Sequence, residues 1–248
     1  MTVLYFSSTG NCLYLAKRIG GKVLSIPVCE KESVYHFEDD KIGIVFPVYG
    51  LCVPPFVEEF LKNIEVTTDY FFAIATYGFF PGAVCGQAGQ IRTQNGRGFD
   101  YVNRLKMAEN CITFSDMAGQ KGDSDKQQKA IAGIINDISS GKKMIRSDSF
   151  FKKFMTRNHL KDYEFPTGVG ITESIRITDS CIGCGTCVRL CPMENISIMD
   201  NRPSFGHNCV SCGACLQHCP KNAIHHEKEK SSARYLNPHI AMDELMYR

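Results

Sequence analysis

At 248 residues with 44% hydrophobic side chains, the chain is long enough for more than one packed core. A net charge of +2 gives no cationic excess for nucleic acid, and no apolar run approaches the ~18 residues of a membrane span. The N-terminus lacks a basic region followed by an apolar one, and thirteen cysteines read as reduced thiols, so a soluble, cytoplasmic protein of an anaerobic cell is expected.

Val3-Leu4-Tyr5-Phe6 reads as a short buried strand, and residues 11–19 as a helix with Leu13, Leu15, Ala16 and Ile19 apolar. Between them lies Ser7-Ser8-Thr9-Gly10-Asn11-Cys12. Free N–H groups, the positive end of the helix dipole and hydroxyl donors converge in such a loop, which suits a phosphate. It is neither a Walker loop nor a Gly-x-Gly-x-x-Gly turn, and the simpler reading is a serine-capped helix start.

The loop resembles the flavodoxin phosphate loop at Ser7, Thr9, Gly10 and Asn11, and departs from it at Cys12, where that family generally has a hydroxyl. Further strands are expected at 23–26, 41–46, 70–76 and about 99–106, with helices after Pro54-Pro55, through Gln94, and from about Ser124 to Ser140. Alternating strands and helices imply an α/β fold, a doubly wound five-stranded parallel sheet with ligands at the carboxyl ends of its strands. Two aromatic turns fall at such ends, Pro47-Val48-Tyr49-Gly50 and Thr76-Tyr77-Gly78. By resemblance to flavodoxins over residues 1–142 these turns would flank the ring of FMN, with Tyr49 or Tyr77 stacking on it.

Residues 143–172 read as a connector, rich in lysine and arginine beside Phe150, Phe151, Phe154 and Met155. Asp148 or Ser149 would cap a helix ending before Pro166-Thr167-Gly168. The simpler account has the phenylalanines packing on a domain while the lysines face water. The alternative is a docking patch for an acidic redox partner.

Eight cysteines then form two matched runs. Cys181, Cys184, Cys187 and Cys191-Pro192 recur 28 residues later as Cys209, Cys212, Cys215 and Cys219-Pro220, with Gly185 matching Gly213 and Ile196 matching Ile224. Zinc sites use separated pairs of cysteines, and disulfide frameworks belong to short secreted chains, so neither explains four close cysteines per run. Two [4Fe-4S] clusters do. His207, His218, His225 and His226 read as solvated residues around them.

Residues 173–228 resemble the bacterial two-cluster ferredoxins, a small α+β domain, with every ligand position filled. The resemblance implies Cys181, Cys184, Cys187 and Cys219 on one cluster, and Cys209, Cys212, Cys215 and Cys191 on the other. Residues 229–248 form a tail in which Asn237 can cap a short helix begun by Pro238. As a whole the chain is similar to the bacterial flavodoxin-domain/two-cluster ferredoxin fusion family. That resemblance implies an electron-transfer protein moving low-potential electrons between its clusters and FMN, with partners such as a ferredoxin or a reductase. An FMN-dependent reductase of a quinone or nitro compound is the alternative reading. The oligomeric state is left open, and no residue has the look of a catalytic acid.

Overall fold

The computed structural model describes residues 1–120, 122, 124–162 and 172–247. Their contacts divide them into two units. Residues 1–7, 11–108 and 124–162 make the first, and residues 8–10, 109–120, 122 and 172–247 the second. Pro166-Thr167-Gly168, the expected end of the connector helix, lies outside the described residues. Among the described residues no helix is long and apolar enough to cross a membrane.

The first unit is built on β1 (Thr2–Tyr5), β2 (Lys22–Ser25), β4 (Lys41–Pro47), β6 (Tyr70–Tyr77), β7 (Tyr101–Lys106) and β8 (Met144–Ile145). They form one sheet in the order β2-β1-β4-β6-β7-β8, parallel throughout. Continuous apolar runs in β1, β4 and β6 are buried, as parallel strands covered on both faces must be. A side ladder pairs β3 (His36–Glu38) with β5 (Glu65–Thr67). Gly43 sits opposite Phe72 in the register, and a Cβ there would lie 2.0 Å from the Phe72 ring. The glycine is what lets that ring lie across β4.

The sheet has six strands where the sequence led us to expect five. β8 is two residues long and sits between Lys142-Lys143 and Arg146, so it carries no apolar run by which to recognise it. β1 lies between β2 and β4, so the strand order reverses there, and the carboxyl ends of β1 and β4 frame a crevice. Those ends lead into Ser7 and into Val48-Tyr49-Gly50.

The helices follow their apolar spacing. α1 (Asn11–Ile19) buries Leu13, Leu15, Ala16 and Ile19, and α2 (Ile26–Lys31) follows β2. α3 (Pro55–Asn63) starts with proline at its first position and buries Val57, Phe60 and Leu61. α4 spans Val84–Gln90. α5 (Asp125–Ser139) is capped by Ser124 Oγ, which accepts from Gln127 N at 3.2 Å, and buries Ile131, Ile134 and Ile138. Each such side chain contributes about 1.5–3 kcal/mol when fully buried.

α6 (Phe150–Asp162) is different. Ser149 Oγ takes the weak capping bond, 3.4 Å from Lys152 N. Asp148, the other candidate cap, is instead paired with Arg104 and accepts from Gly86 N at 2.8 Å. Phe150, Phe151 and Phe154 are 84%, 61% and 42% exposed, so the reading in which they pack on a domain does not hold.

The second unit carries the 28-residue repeat into the backbone. Short helices Thr186–Arg189 and Ala214–Gln217 each start from a left-handed glycine, Gly185 (φ 71°) and Gly213 (φ 69°). Left-handed residues recur at Gly183 and Ser211, and at Glu194 and Asn222. β10 (Ile196–Met199) pairs antiparallel with β11 (Arg202–Phe205), and β12 (Ile224–His226) with β9 (Ile175–Ile177). Ile196 faces Phe205 and Ile224 faces Ile177, one register related to the other by the repeat. The β9–β12 ribbon therefore joins the two halves of the repeat.

Candidate metal centres and strand-end loops

The left-handed backbone at Gly183 and Gly185 folds the first run tightly, which gathers its sulfurs. Cys181, Cys184 and Cys187 line one cavity, and the fourth cysteine lining it is Cys219 from the second run. Ile182, Ile198, Pro203 and Ile224 supply apolar wall around them. The electrostatics repeat that grouping. Burial pushes the Cys187 thiol up to about 11, and the negative neighbours that add to the rise are Cys184 and Cys219.

In the second run burial pushes Cys212 up to about 12, with Cys191 and Cys209 raising it further. Cys215 is driven well above its ordinary range by burial, then by Cys212, Cys191 and Cys209, with a smaller contribution from Cys187. Cys209 is raised by burial and then by Cys191. Cys191, from the first run, thus lies within electrostatic reach of all three second-run thiols. Clustered buried thiols resist ionising, and a cationic metal group that ligates them relieves the repulsion between their thiolates.

Backbone donors complete the two centres symmetrically. Asn195 N–H donates to Cys191 Sγ at 3.2 Å, and its repeat equivalent Ala223 N–H donates to Cys219 Sγ at 3.2 Å. Cys184, the exposed member, has its thiol lowered, first by the Thr186 side chain and then by the Thr186 backbone. None of the thirteen cysteines is in a disulfide. Among the described residues no three or more His, Cys, Asp or Glu side chains converge on a single-ion site. A cubane takes one sulfur on each of its four irons, and four cysteines line the first cavity, so the donor set fits a cluster.

The strand-end loops of the first unit meet one another. Pro47 is the register partner of Thr76, Val48 N donates to Thr76 O at 2.8 Å, and Cys12 Sγ lies 3.1 Å from Thr76 Oγ1. Burial pushes the Cys12 thiol up to about 12, against the opposing Thr76 hydrogen bond. Asn11 Nδ2 donates to Ala108 O at 3.1 Å. Asn11 and Cys12 therefore brace the start of α1 against neighbouring segments. Tyr49 and Cys52 exchange backbone hydrogen bonds at 3.1 and 2.9 Å across Gly50 and Leu51, both left-handed, so a non-glycine residue is held in a costly conformation at the crevice. Tyr49 is half-buried and meets the Phe6 ring edge-on at 6.2 Å. Tyr77 O accepts from Met107 N, and Tyr77 and Gly78 are also half-buried.

Ser8, Thr9 and Gly10 belong to the second unit. His218 Nε2 lies 2.7 Å from Ser8 O, Asn110 Nδ2 donates to Thr9 Oγ1 at 2.5 Å, and Asn237 N donates to Thr9 O at 2.8 Å. Thr9 Oγ1 accepts there and is buried. Beside Gly10, a Cβ would stand 3.0–3.2 Å from Asn237 and Ile240. His218 is buried, contrary to the expectation of a solvated residue, and burial lowers its pKa. Gln217 bonds Asn110 O at 2.9 Å and Tyr235 N at 2.8 Å. His218 and Gln217 had no motif to mark them, and Asn237 was marked only as the cap of a short helix.

No curated protein matches the chain. Residues 174–224 match the model of the 4Fe-4S dicluster domain, which spans both cysteine runs and supports an iron–sulfur electron-transfer role.

Proposed function

We propose that the chain is an electron carrier holding two [4Fe-4S] clusters and one FMN, of the flavodoxin-domain/two-cluster ferredoxin fusion type. The observation that carries the reading is the company each Cys-Pro cysteine keeps. Cys219 lines a cavity with Cys181, Cys184 and Cys187, and Cys191 is the electrostatic neighbour of Cys209, Cys212 and Cys215.

Bound clusters would supply one-electron chemistry and a flavin either one- or two-electron chemistry, so the pair converts between them. The chain's own residues bind, orient and shield. Asn195 and Ala223 N–H groups donate to the ligand sulfurs, which stabilises charge on them and tunes potential. Leu190, Ile196, Ala214, Leu216 and Ile224 are buried around the runs and exclude water. For the flavin, the support is the crevice beside β1 and β4, the strained turn at Tyr49, and Ser7 after the end of β1.

Anaerobic purification with iron, sulfide and flavin analysis tests the proposal. About eight irons, eight sulfides and one FMN per chain are expected from two cubane clusters and one flavin site. About four irons would remove the double-cluster claim, and a protein that binds no added FMN would remove the flavin.

A further inference from the structure

α6 is held to the first unit by polar anchors. Thr156 is its one buried residue among those whose side chains are described, and Thr156 Oγ1 accepts from Ala83 N at 2.9 Å. Just before the helix, Asp148 is buried with Arg104 and takes the Gly86 N–H. Phe151 meets Phe80 edge-on at 6.5 Å, which sets the helix beside the turn that follows Tyr77-Gly78. Everything else apolar on α6 faces out: Phe150, Phe154, Met155 and Leu160 are exposed, as is Phe79 on the adjoining turn. Polar anchors and exposed phenylalanines together are the reverse of ordinary helix packing, and such patches mark interaction surfaces.

Charge identifies what would cover the surface. α6 and its cap, residues 149–162, hold Lys152, Lys153, Arg157 and Lys161 against one acidic residue, Asp162 at the C-terminal end, and the nearby Asp148 is consumed by Arg104. Lys153, Arg157 and Lys161 are exposed, with no carboxylate partner among the described residues. Phe150, Phe154, Arg157 and Lys161 stand at i, i+4, i+7 and i+11, on one stripe. A helix lying in a membrane surface separates its apolar stripe from its basic one. Here they coincide, which fits a protein surface with acidic groups around an apolar centre.

We propose that this stripe of α6, with Phe79, is the docking face for an acidic redox protein, placed beside the turn at Tyr77-Gly78. Only the partner's being a redox protein rests on the electron-carrier reading.

The test measures binding of an acidic flavodoxin, as probe, to the anaerobically purified full chain at low and high salt. In parallel, stopped-flow follows oxidation of the reduced chain by the same probe. Binding is expected to weaken as salt rises. K153E/R157E/K161E should weaken it at least ~10-fold and abolish the salt dependence. F150S/F154S should weaken it several-fold and leave the salt dependence in place. Both variants should keep wild-type iron content, because none of these side chains is buried. Unchanged binding in either variant overturns the proposal. So does binding to phosphatidylserine vesicles that the charge reversal abolishes, or self-association in sedimentation that F150S/F154S abolishes. Salt-dependent binding that the variants weaken as stated, in a chain without iron, would retain the docking face and remove the electron-carrier reading.

Discussion

Arg104 and Asp148 are both buried, so neither can turn to water if its partner is lost. Asp148→Ala should therefore destabilise the protein by about 3–5 kcal/mol, seen as a lowered urea midpoint, because it strands the Arg104 guanidinium. Thiols make a second residue-scale case. Cys12 is protonated in the fold up to about pH 12 but ionises near 9 when exposed. A group whose pKa is raised by folding contributes stability below the unfolded value and loses it as pH rises toward the folded one. Stability should fall between pH 9 and 12, and more shallowly in Cys12→Ser. An equal slope in the variant would show that Cys12 is not the titrating group. Cysteine spacing made the eight motif positions readable from sequence, since a local motif needs only near neighbours. His218 was not readable, nor was the bond from Asn237 to Thr9, because the partners Ser8 and Thr9 lie more than two hundred residues away.

Among the elements, long apolar or well-capped segments were legible, and short or polar-anchored ones were not. β4, β6, α3 and α5 fall close to where their periodicity puts them, with α5 starting just after Ser124 as expected. β8 was missed because two residues between basic pairs carry no signal, and it exists only because Tyr101-Val102 offers an unpaired edge. α6 was seen as a helix, but its outward phenylalanines defeat a rule that turns aromatics inward. The cluster repeat allows a sharper element-scale prediction. Gly185 and Gly213 occupy equivalent left-handed caps, so Gly185→Ala and Gly213→Ala should each cost about 1–2 kcal/mol. Chemical denaturation that finds only one of them costly would break the equivalence of the two halves.

For the whole molecule, the crossed grouping of cysteines is the feature on which the account depends. The β9–β12 ribbon and the two Cys-Pro cysteines all pair one half of the repeat with the other, so under the proposed ligand grouping neither half would complete a centre alone. Iron content in paired cysteine variants addresses this most directly. Cys181→Ser combined with Cys219→Ser should remove ligands of a single cluster and leave about four irons per chain, whereas Cys181→Ser with Cys191→Ser should damage both and leave almost none. The opposite pattern, with the Cys181 and Cys191 pair retaining about four irons, would mean that each run builds its own cluster and would contradict the account.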